Sequence, residues 1–425
     1  MSNVYFKCLL AVFLLGIAET ALAAVNEDPI VIMIGVDGLR ADTLERIQAP
    51  NLQLLADTGV RANMIPAMPT KTFVNFYSLA TGLHPKHHGL ISNYPYDREL
   101  GRKFNRQTDV SDPRWWGGEP IWITAEKQGV KAATYFWVGS EVEIGGVRPS
   151  FWKAYQKDKD YGERVEEVLK WLALPEGERP RLLTLYFSAV DTAAHDFGVD
   201  SPQEREAVVM VDKHIGDLLI GLNKLGLKHR SNIVVVADHG MANLSDNRVI
   251  NLDPWIDLSD FMVPDWASNK TSVHAPFLNL YAEPKLVDAA YKKLHKAHPK
   301  MQVLRRGSFP TQYHFNHLQR EPDLMLLADT GWSIYASRDK SQSQSMLYLG
   351  RSIATHGYDN QDPLMQATFI ASGPAFKRKL KARPFDNIEV YGLVACALKI
   401  KPASTDGNIQ NVQYLMTQDC QSSFE

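Results

Sequence analysis

The stretch PIVIMIGVDG, residues 29–38, is a run of apolar and β-branched residues that ends at an aspartate and a glycine. Similar apolar runs recur along the chain, at KAATYFWV (131–138), RLLTLYFSAV (181–190), SNIVVVA (231–237) and ATFIASG (367–373). Strands that are apolar on both faces and alternate with helical segments are typical of parallel sheets, which helices cover on both sides. The sequence therefore predicts an α/β fold with a mostly parallel central sheet and helices on both faces.

One long helix is marked by its start signal. The segment SPQE (201–204) is a capping box with proline at the first helical position. Apolar residues then recur at helical spacing from Val208 to Leu222, and Gly226 supplies a stop signal. We therefore expect a helix that begins at residue 202 and packs an apolar stripe into the core.

The pattern changes between about residues 243 and 351. This stretch is rich in aromatic residues and proline, with a strand and helix in FLNLYAEPKLVDAAYKKL (277–294) and a strand in DLMLLAD (323–329). The strand-helix alternation resumes only at Ala367. We therefore expect one domain over residues 24–425, interrupted at about 243–351 by an inserted, smaller α+β subdomain or lid.

The first residues have the features of a targeting segment. Lys7 precedes an apolar run from Cys8 to Ile17, and a small-residue motif, ALA, ends at Ala23. This pattern is typical of a secretory signal peptide over residues 1–23, and the apolar run is too short to span a membrane comfortably. We expect an exported protein, periplasmic or secreted, with no transmembrane segment in the mature chain.

Charge and cysteine content limit the possible partners. The chain has 46 basic and 48 acidic residues and a formal net charge of −2, which gives no signal for binding nucleic acid or anionic lipid. After the predicted signal peptide, only Cys396 and Cys420 remain. They form either one disulfide that holds the C-terminal tail or a buried and an exposed thiol, and the sequence does not decide between these. No protein partner is implied.

Acidic and histidine side chains follow three of the predicted strands. They are Asp37, the pair Asp191 and His195, and the pair Asp238 and His239. Ligands of open α/β sheets bind at the carboxyl ends of the strands, so we expect these side chains to converge in one crevice. His356, in ATHGYDN (354–360), adds a third histidine. Six oxygen and nitrogen ligands without cysteine are what a two-metal site needs, and the mixture favours zinc or manganese.

A candidate nucleophile lies in PTKTFVNFYSLATGLHPKHHGLISN (69–93). Thr70 and Thr72 both precede a helical run, and a hydroxyl at a helix N-terminus meets a bound phosphate where free N–H groups point. Residue type alone does not choose between the two threonines. We expect the histidines of this stretch to be ordinary loop residues; they are His84, His87 and His88.

Several motifs in order resemble the nucleotide pyrophosphatase/phosphodiesterase family of the alkaline phosphatase superfamily. They are the strand ending in Asp37-Gly38, the threonine stretch, WWGGEPIWITAEKQG (115–129), Asp191-x-x-x-His195, ADHGM (237–241) and THGYDN (355–360). The similarity runs from about Pro29 to Pro374, most of the chain. It implies an alkaline phosphatase-like catalytic domain that carries two zinc ions.

The resemblance also assigns roles to individual residues. It implies that Thr72 is the nucleophile and that Asn93 holds the phosphoryl oxygens. The implied ligands are Asp37, Thr72, Asp238 and His239 for one zinc, and Asp191, His195 and His356 for the other. The nucleobase would lie between aromatic side chains at Phe73, Tyr155 and Tyr186. The segment FSAVDTAAH (187–195) departs from the family pattern at Ser188, Val190 and Ala194, so we expect altered substrate contacts near these residues.

The function implied is hydrolysis of phosphodiester or phosphoanhydride bonds in small nucleotides, releasing nucleoside 5′-monophosphates through a phosphothreonine intermediate. One alternative is a choline-type headgroup phosphodiesterase, with aromatic residues of the 243–351 segment caging the quaternary ammonium. A catalytically silent binding module is a second alternative, although it predicts loss of ligands or nucleophile, and all seven expected positions are occupied. A sulfatase is disfavoured because the nucleophile region has no cysteine.

Overall fold

The computed structural model describes residues 28–265, 270–337 and 352–420, so the predicted signal peptide lies outside the described residues. The strands are β1 (Ile30–Val36), β2 (Val60–Ile65), β3 (Tyr96–Asp97), β4 (Arg102–Lys103), β5 (Ala132–Tyr135), β6 (Phe151–Lys153), β7 (Leu182–Phe187), β8 (Ser231–Val236), β9 (Ala242–Asn243), β10 (Val249–Asn251), β11 (Ser272–Ala275), β12 (Phe277–Leu280), β13 (Met301–Arg305), β14 (Leu324–Ala328), β15 (Ser333–Ser337), β16 (Ala354–Thr355), β17 (Ala367–Ser372), β18 (Leu380–Lys381) and β19 (Phe385–Asp386). The helices are α1 (Thr43–Arg46), α2 (Pro50–Thr58), α3 (Thr72–Thr81), α4 (Pro85–His88), α5 (Ile121–Lys127), α6 (Tyr161–Leu172), α7 (Ala189–Phe197), α8 (Pro202–Lys224), α9 (Pro284–Leu294) and α10 (Val390–Leu398).

A nine-stranded sheet forms the centre of the fold, in the order β18–β2–β17–β8–β1–β7–β5–β6 with β19 also paired to β2. The strands from β8 to β6 in this order are all parallel, whereas β17 is antiparallel to both of its neighbours. Every residue of β1 is buried, which explains its unbroken apolar run. The predicted α/β fold with a mostly parallel sheet is confirmed, and the strand ATFIASG is its antiparallel exception.

Two predicted element boundaries can be compared with the structure. The Ser201 hydroxyl accepts a hydrogen bond of 3.0 Å from the Glu204 backbone N–H, so the capping box forms and α8 begins where expected. The run RLLTLYFSAV is shorter as a strand than predicted, because β7 ends at Phe187 and α7 begins two residues later. The early helix start places Asp191 in the first turn of α7 and His195 in its last turn.

The segment between β9 and β15 builds a smaller unit. Its strands form two three-stranded sheets, β10–β15–β11 and β12–β14–β13, and α9 supplies its main helix. Its buried apolar side chains form a cluster separate from that of the central sheet. The assignment of about 243–351 as an inserted lid remains a prediction, and residue 351 lies outside the described residues. Among the described helices, none is long and apolar enough to cross a membrane.

Cys396 and Cys420 form a disulfide, which decides the question that the sequence left open. Both residues are fully buried, and the bond joins α10 to the C-terminal tail across 24 positions of sequence. Closing a loop of this length restricts the unfolded chain and contributes about 3 kcal/mol. We expect the double variant Cys396→Ala/Cys420→Ala to lose about 2–4 kcal/mol in the free energy of unfolding, measured by urea denaturation. An unchanged denaturation midpoint would contradict this.

Candidate active site

Three carboxylates meet at the carboxyl ends of neighbouring strands. Asp37 directly follows β1, Asp238 follows β8, and Asp191 lies at the start of the helix after β7. Backbone bonds tie these segments together: Asp191 N–H donates to the Asp37 carbonyl at 3.1 Å, and Gly38 N–H donates to Asp238 Oδ1 at 3.1 Å. The convergence expected from the order of strands and motifs is therefore present.

Glycine is required directly after Asp37. Gly38 has a φ of +70°, a conformation that side chains with a Cβ rarely adopt. A Cβ on Gly38 would lie 3.0 Å from both Cα and Cβ of Asp191. The Asp-Gly pair thus allows the end of β1 to approach α7 closely enough for Asp37 and Asp191 to share one site.

The candidate metal ligands form two overlapping groups. In one, ligand atoms of Asp37, Asp238 and His239 all lie within 4.8 Å of one another, and in the other the same holds for Asp191, His239 and His356. His195 lies beside the second group, with Nε2 at 3.4 Å from Asp191 Oδ1. The structure thus brings the six aspartate and histidine ligands of the prediction together, and His239 belongs to both groups of candidate ligands.

Each histidine is oriented by a backbone carbonyl. Nδ1 of His195 lies 2.8 Å from the Ala354 carbonyl, Nδ1 of His239 lies 2.9 Å from the Gly240 carbonyl, and Nδ1 of His356 lies 2.7 Å from the Thr70 carbonyl. A carbonyl can only accept, so Nδ1 carries the proton in each ring and the Nε2 lone pair is left for a ligand. This is the arrangement in which protein histidines bind metals.

The carboxylates include buried oxygens that receive no hydrogen bond within the described residues. They are Asp37 Oδ1, Asp191 Oδ1 and Asp238 Oδ2. Asp238 Oδ2 lies 2.8 Å from His239 Nε2. In the tautomer described above, this nitrogen carries a lone pair and no proton. Buried anionic oxygens facing nitrogen lone pairs repel each other unless a proton or cation lies between them. The residues therefore fit divalent metal ions bound by oxygen and nitrogen.

The pKa shifts of the site also fit bound cations, because two of its carboxylates are unfavourable as uncompensated anions. Burial, with repulsion from Asp238 and Asp191, raises the pKa of Asp37 well above its ordinary value. Burial, with repulsion from Asp191, raises the pKa of Asp238 to about 8. Burial would also raise the pKa of Asp191, but the neighbouring His195 outweighs burial and lowers this pKa. Burial lowers the pKa of His239 and His356.

We expect metal-free protein to become less stable as the pH rises from about 7 to about 8. Above about pH 6.5 the histidines with lowered pKa values are neutral in both states. The raised pKa values of Asp37 and Asp238 then make the folded chain hold more protons than the unfolded chain, so stability falls with rising pH. Chelator-treated protein should melt a few degrees lower at pH 8 than at pH 7, and added divalent metal should reduce the difference. In Asp238→Asn the slope should be shallower. A chelated protein that melts higher at pH 8 would contradict this.

Thr72 is the first residue of α3, next to the carboxylate and histidine cluster. Its Oγ1 lies 3.4 Å from His239 Nε2. Lys71, at the helix N-cap, makes no side-chain capping bond. N–H groups of the first turn of α3 are therefore left to donate to a ligand bound beside Thr72. Asn93 approaches this turn, because its Oδ1 accepts a 2.9 Å hydrogen bond from the Phe73 backbone N–H. Its Nδ2 is then the end that can donate to a bound oxyanion.

Thr70 has different surroundings from Thr72. It is fully buried, its hydroxyl donates to the Tyr358 carbonyl at 3.1 Å, and it accepts from the Gly357 N–H at 2.9 Å. Since its carbonyl also receives the His356 Nδ1 proton, Thr70 joins the nucleophile turn to the loop that carries His356.

Two residues that the sequence did not single out support the same turn. Lys71 Nζ donates to the His356 carbonyl at 2.7 Å. The buried Asn75 accepts from the Ala67 N–H at 2.7 Å and donates to the Pro69 carbonyl at 3.1 Å. The sequence did contain a signal for Asn75, because an amide side chain within the mainly apolar run VNFYSLA (74–80) indicates a buried polar group that needs hydrogen-bond partners.

The three neighbouring histidines make other contacts. His88 is buried with its Nε2 at 2.9 Å from the Ser78 hydroxyl, His87 pairs with Asp406 at 2.7 Å, and the ring of His84 stacks on His314.

The candidate substrate-binding aromatics have different environments. Phe73 is half-buried, with Phe104 at 5.9 Å and Trp116 at 6.4 Å between ring centroids. Tyr155 keeps 47% of its surface exposed, so it can offer a ring face. The Tyr186 hydroxyl donates to Asp37 Oδ2 at 2.5 Å, which ties this tyrosine directly to a candidate metal ligand.

Comparisons with known proteins agree with this arrangement. The family model described as type I phosphodiesterase/nucleotide pyrophosphatase matches residues 31–359. The chain is 38% identical over 394 residues to a venom phosphodiesterase of Naja atra, covering 91% of this chain and 46% of that protein. It thus spans about half the length of the venom enzymes that it matches.

Other relatives match over more of their length. A Schizosaccharomyces pombe protein named as an uncharacterized pyrophosphatase/phosphodiesterase is 37% identical over 387 residues, covering 89% of this chain and 79% of that one. The solved structure of murine ectonucleotide pyrophosphatase/phosphodiesterase 5, an inactive threonine-to-alanine variant in complex with AMP, is 28% identical. It superposes with a TM-score of 0.83 over 92% of this chain and 100% of its own. The chain belongs to the type I phosphodiesterase/nucleotide pyrophosphatase family.

Proposed function

We propose that this protein is an exported two-zinc phosphodiesterase that cleaves phosphodiester or phosphoanhydride bonds of small nucleotides and releases nucleoside 5′-monophosphates. The observation that carries the proposal is the Thr72 hydroxyl, 3.4 Å from His239 Nε2 at the start of α3, next to buried carboxylate oxygens without donors. Family membership supports it, and so does the murine relative, which binds AMP and is inactive with alanine in place of a threonine.

Export is part of the proposal. The N-terminal pattern of residues 1–23 is typical of a signal peptide, and the Cys396–Cys420 disulfide suits an oxidising compartment. Related proteins are named as venom enzymes and ectonucleotide enzymes, which act outside the cytoplasm.

The residues divide into two proposed zinc sites. One site would be formed by Asp37, Thr72, Asp238 and His239, and the other by Asp191, His195 and His356. Bound there, two divalent cations would neutralise the carboxylates and favour the ionised form of the Thr72 hydroxyl. The oxygen and nitrogen ligand atoms and the carbonyl-oriented histidines suit such ions, and so do the carboxylate oxygens that no donor of the described residues reaches.

Thr72 performs the first chemical step. Its Oγ1 attacks phosphorus from the side opposite the leaving oxygen, a bond forms between Oγ1 and phosphorus, and the bond from phosphorus to the leaving group breaks. First-turn N–H groups of α3 and Asn93 Nδ2 donate to the non-bridging oxygens, where charge accumulates. Water then attacks phosphorus in this phosphothreonine, which still carries the nucleoside. The bond from phosphorus to Oγ1 breaks, a proton from the water restores the hydroxyl, and the nucleoside 5′-monophosphate is released.

Aromatic faces would bind the nucleobase. Phe73 follows the nucleophile directly, and Tyr155 presents a half-exposed ring. Stacking on such rings contributes about 1–3 kcal/mol per base and tolerates different bases. The segment of about 243–351 would act as the lid over this site, and the substrate is a small molecule.

The test compares three substrates with and without zinc. We expect p-nitrophenyl thymidine 5′-monophosphate to be cleaved at least about tenfold faster than p-nitrophenyl phosphate or p-nitrophenylphosphorylcholine, because only the first has a base to stack. A chelator should abolish cleavage, and zinc should restore it. Preference for the choline ester would overturn the nucleotide assignment. Zinc binding without cleavage of any of the three would favour a silent binding module.

A further inference from the structure

A buried arginine lies behind the aromatic side chains of the candidate site. Arg164, in the first turn of α6, has no exposed surface and no carboxylate within ion-pair distance among the described residues. Its guanidinium donates to carbonyls instead, with Nε at 3.1 Å and Nη2 at 2.9 Å from the Lys159 carbonyl, and Nη1 at 2.7 Å from the Tyr186 carbonyl. Burying a cation without a counter-charge is unfavourable, so its retention calls for a reason beyond packing.

The same guanidinium lies against two aromatic rings. Its Cζ is 4.8 Å from the ring centroid of Phe136 and 4.3 Å from that of Tyr161, both within the range of cation–π attraction. Phe136 directly follows β5 and has a φ of +59°, which is a rare conformation for a bulky residue. Such strain persists only where the surroundings hold the residue in place, and Arg164 is one of the contacts that do so.

Phe136 in turn supports Tyr155. Their ring centroids are 5.3 Å apart at an interplanar angle of 69°, which leaves a face of Tyr155 open. On its other side, Tyr155 meets Tyr186 at 6.2 Å, and Tyr186 is hydrogen-bonded to Asp37. Arg164 holds both neighbours of Tyr155, Phe136 by its ring and Tyr186 by its carbonyl. The orientation of Tyr155 relative to Asp37 therefore depends in part on Arg164.

We propose that Arg164 is a positioning residue for substrate selection: it fixes Tyr155 as one rigid face of a nucleobase subsite at a set distance from the metal-ligand carboxylates. This inference rests on the proposed function. A prepositioned ring binds a base without first losing its own conformational freedom, so the gain is confined to ligands that carry a base. Diesters without a base do not use the subsite.

The test compares a substrate with a base and one without. For Arg164→Met, we expect the KM for p-nitrophenyl thymidine 5′-monophosphate to rise about tenfold, while kcat/KM for methyl p-nitrophenyl phosphate falls by less than about twofold. Arg164→Lys keeps the charge but not the planar guanidinium, so its KM for the nucleotide diester should lie between those of wild type and Arg164→Met. Arg205→Met, which removes a half-exposed arginine on α8, is the matched control and should change neither value. Equal losses on both substrates would overturn the proposal.

Two further variants separate positioning from general destabilisation. Phe136→Leu keeps an apolar side chain at this buried position but removes the ring that contacts Arg164 and Tyr155, so it should stay folded and still raise the KM for the nucleotide diester. In the double variant Arg164→Met/Tyr155→Ala, the KM should equal that of Tyr155→Ala alone, because Arg164 acts through Tyr155. Fold-changes that multiply would overturn the proposal.

A binding measurement keeps this inference separate from the proposed activity. Calorimetry should show that Arg164→Met weakens AMP about tenfold and leaves inorganic phosphate unchanged. If no diester is cleaved but this difference is found, the proposed function fails and the subsite stands. If diesters are cleaved by the wild type and AMP binding is the same in both proteins, the subsite proposal fails and the function stands.

Discussion

Replacing Thr72 by alanine is expected to lower kcat for the nucleotide diester by about 10⁴-fold or more, with the fold retained. Removal of a covalent nucleophile abolishes the route through the intermediate, and only the contribution of bound metals and oriented donors remains. Thr72 contributes one of seven proposed ligands, so both metals should stay bound at saturating zinc. Thermal unfolding and metal content should therefore change little. The measurement is single-turnover kinetics with metal analysis of the same preparation.

Two comparisons sharpen this result. Thr72→Ser keeps the Oγ and should retain far more activity than alanine, within about a hundredfold of wild type. Thr58→Ala removes a hydroxyl at the end of α2, bonded to the Leu54 carbonyl, and should leave kinetics unchanged. Acid quenching of wild type should trap the nucleoside 5′-monophosphate as an ester on Thr72. Retention of more than about a hundredth of the activity by Thr72→Ala would contradict the nucleophile assignment.

Replacing Gly38 by alanine is expected to lower kcat/KM by about 10²-fold without removing a single ligand. The new Cβ would lie 3.0 Å from Asp191 Cα and Cβ, so the end of β1 and the start of α7 must separate. Displacing reacting groups by about 1 Å can decrease the rate about 10²-fold. The separation also moves Asp37 away from Asp191, so we expect weaker zinc binding as well, measured by titration against a competing chelator.

Gly226→Ala provides the matched control. Gly226 has nearly the same φ, +71°, but a Cβ there would meet nothing within 4 Å. Both variants carry the strain of a left-handed alanine, about 1 kcal/mol, whereas only Gly38→Ala adds the contact with Asp191. Equal behaviour of the two variants would show that backbone strain and not close approach makes glycine necessary after Asp37.

Much of the fold could be predicted because the signals are local. The unbroken apolar run of β1 follows from burial on both faces, and the capping box of α8 from one side chain meeting an N–H three residues away. The position of Asp37 and Asp238 after parallel strands was enough to predict that they converge, since parallel strands end at one edge. These inferences need only a few neighbouring residues and a general rule of topology.

Other features required the folded chain. The direction of β17, the bond between Cys396 and Cys420, and the hydrogen bond from Tyr186 to Asp37 join residues distant in sequence. No local pattern encodes such pairs, because they depend on strand order and on which side chains the packed core brings together. Arg164 shows this most clearly: in the sequence it is one charge in an amphipathic helix, and only its burial against Phe136 and the Tyr186 carbonyl makes it part of the site. The sequence by itself thus determined the elements and the types of chemical group, whereas long-range packing decided which groups act together.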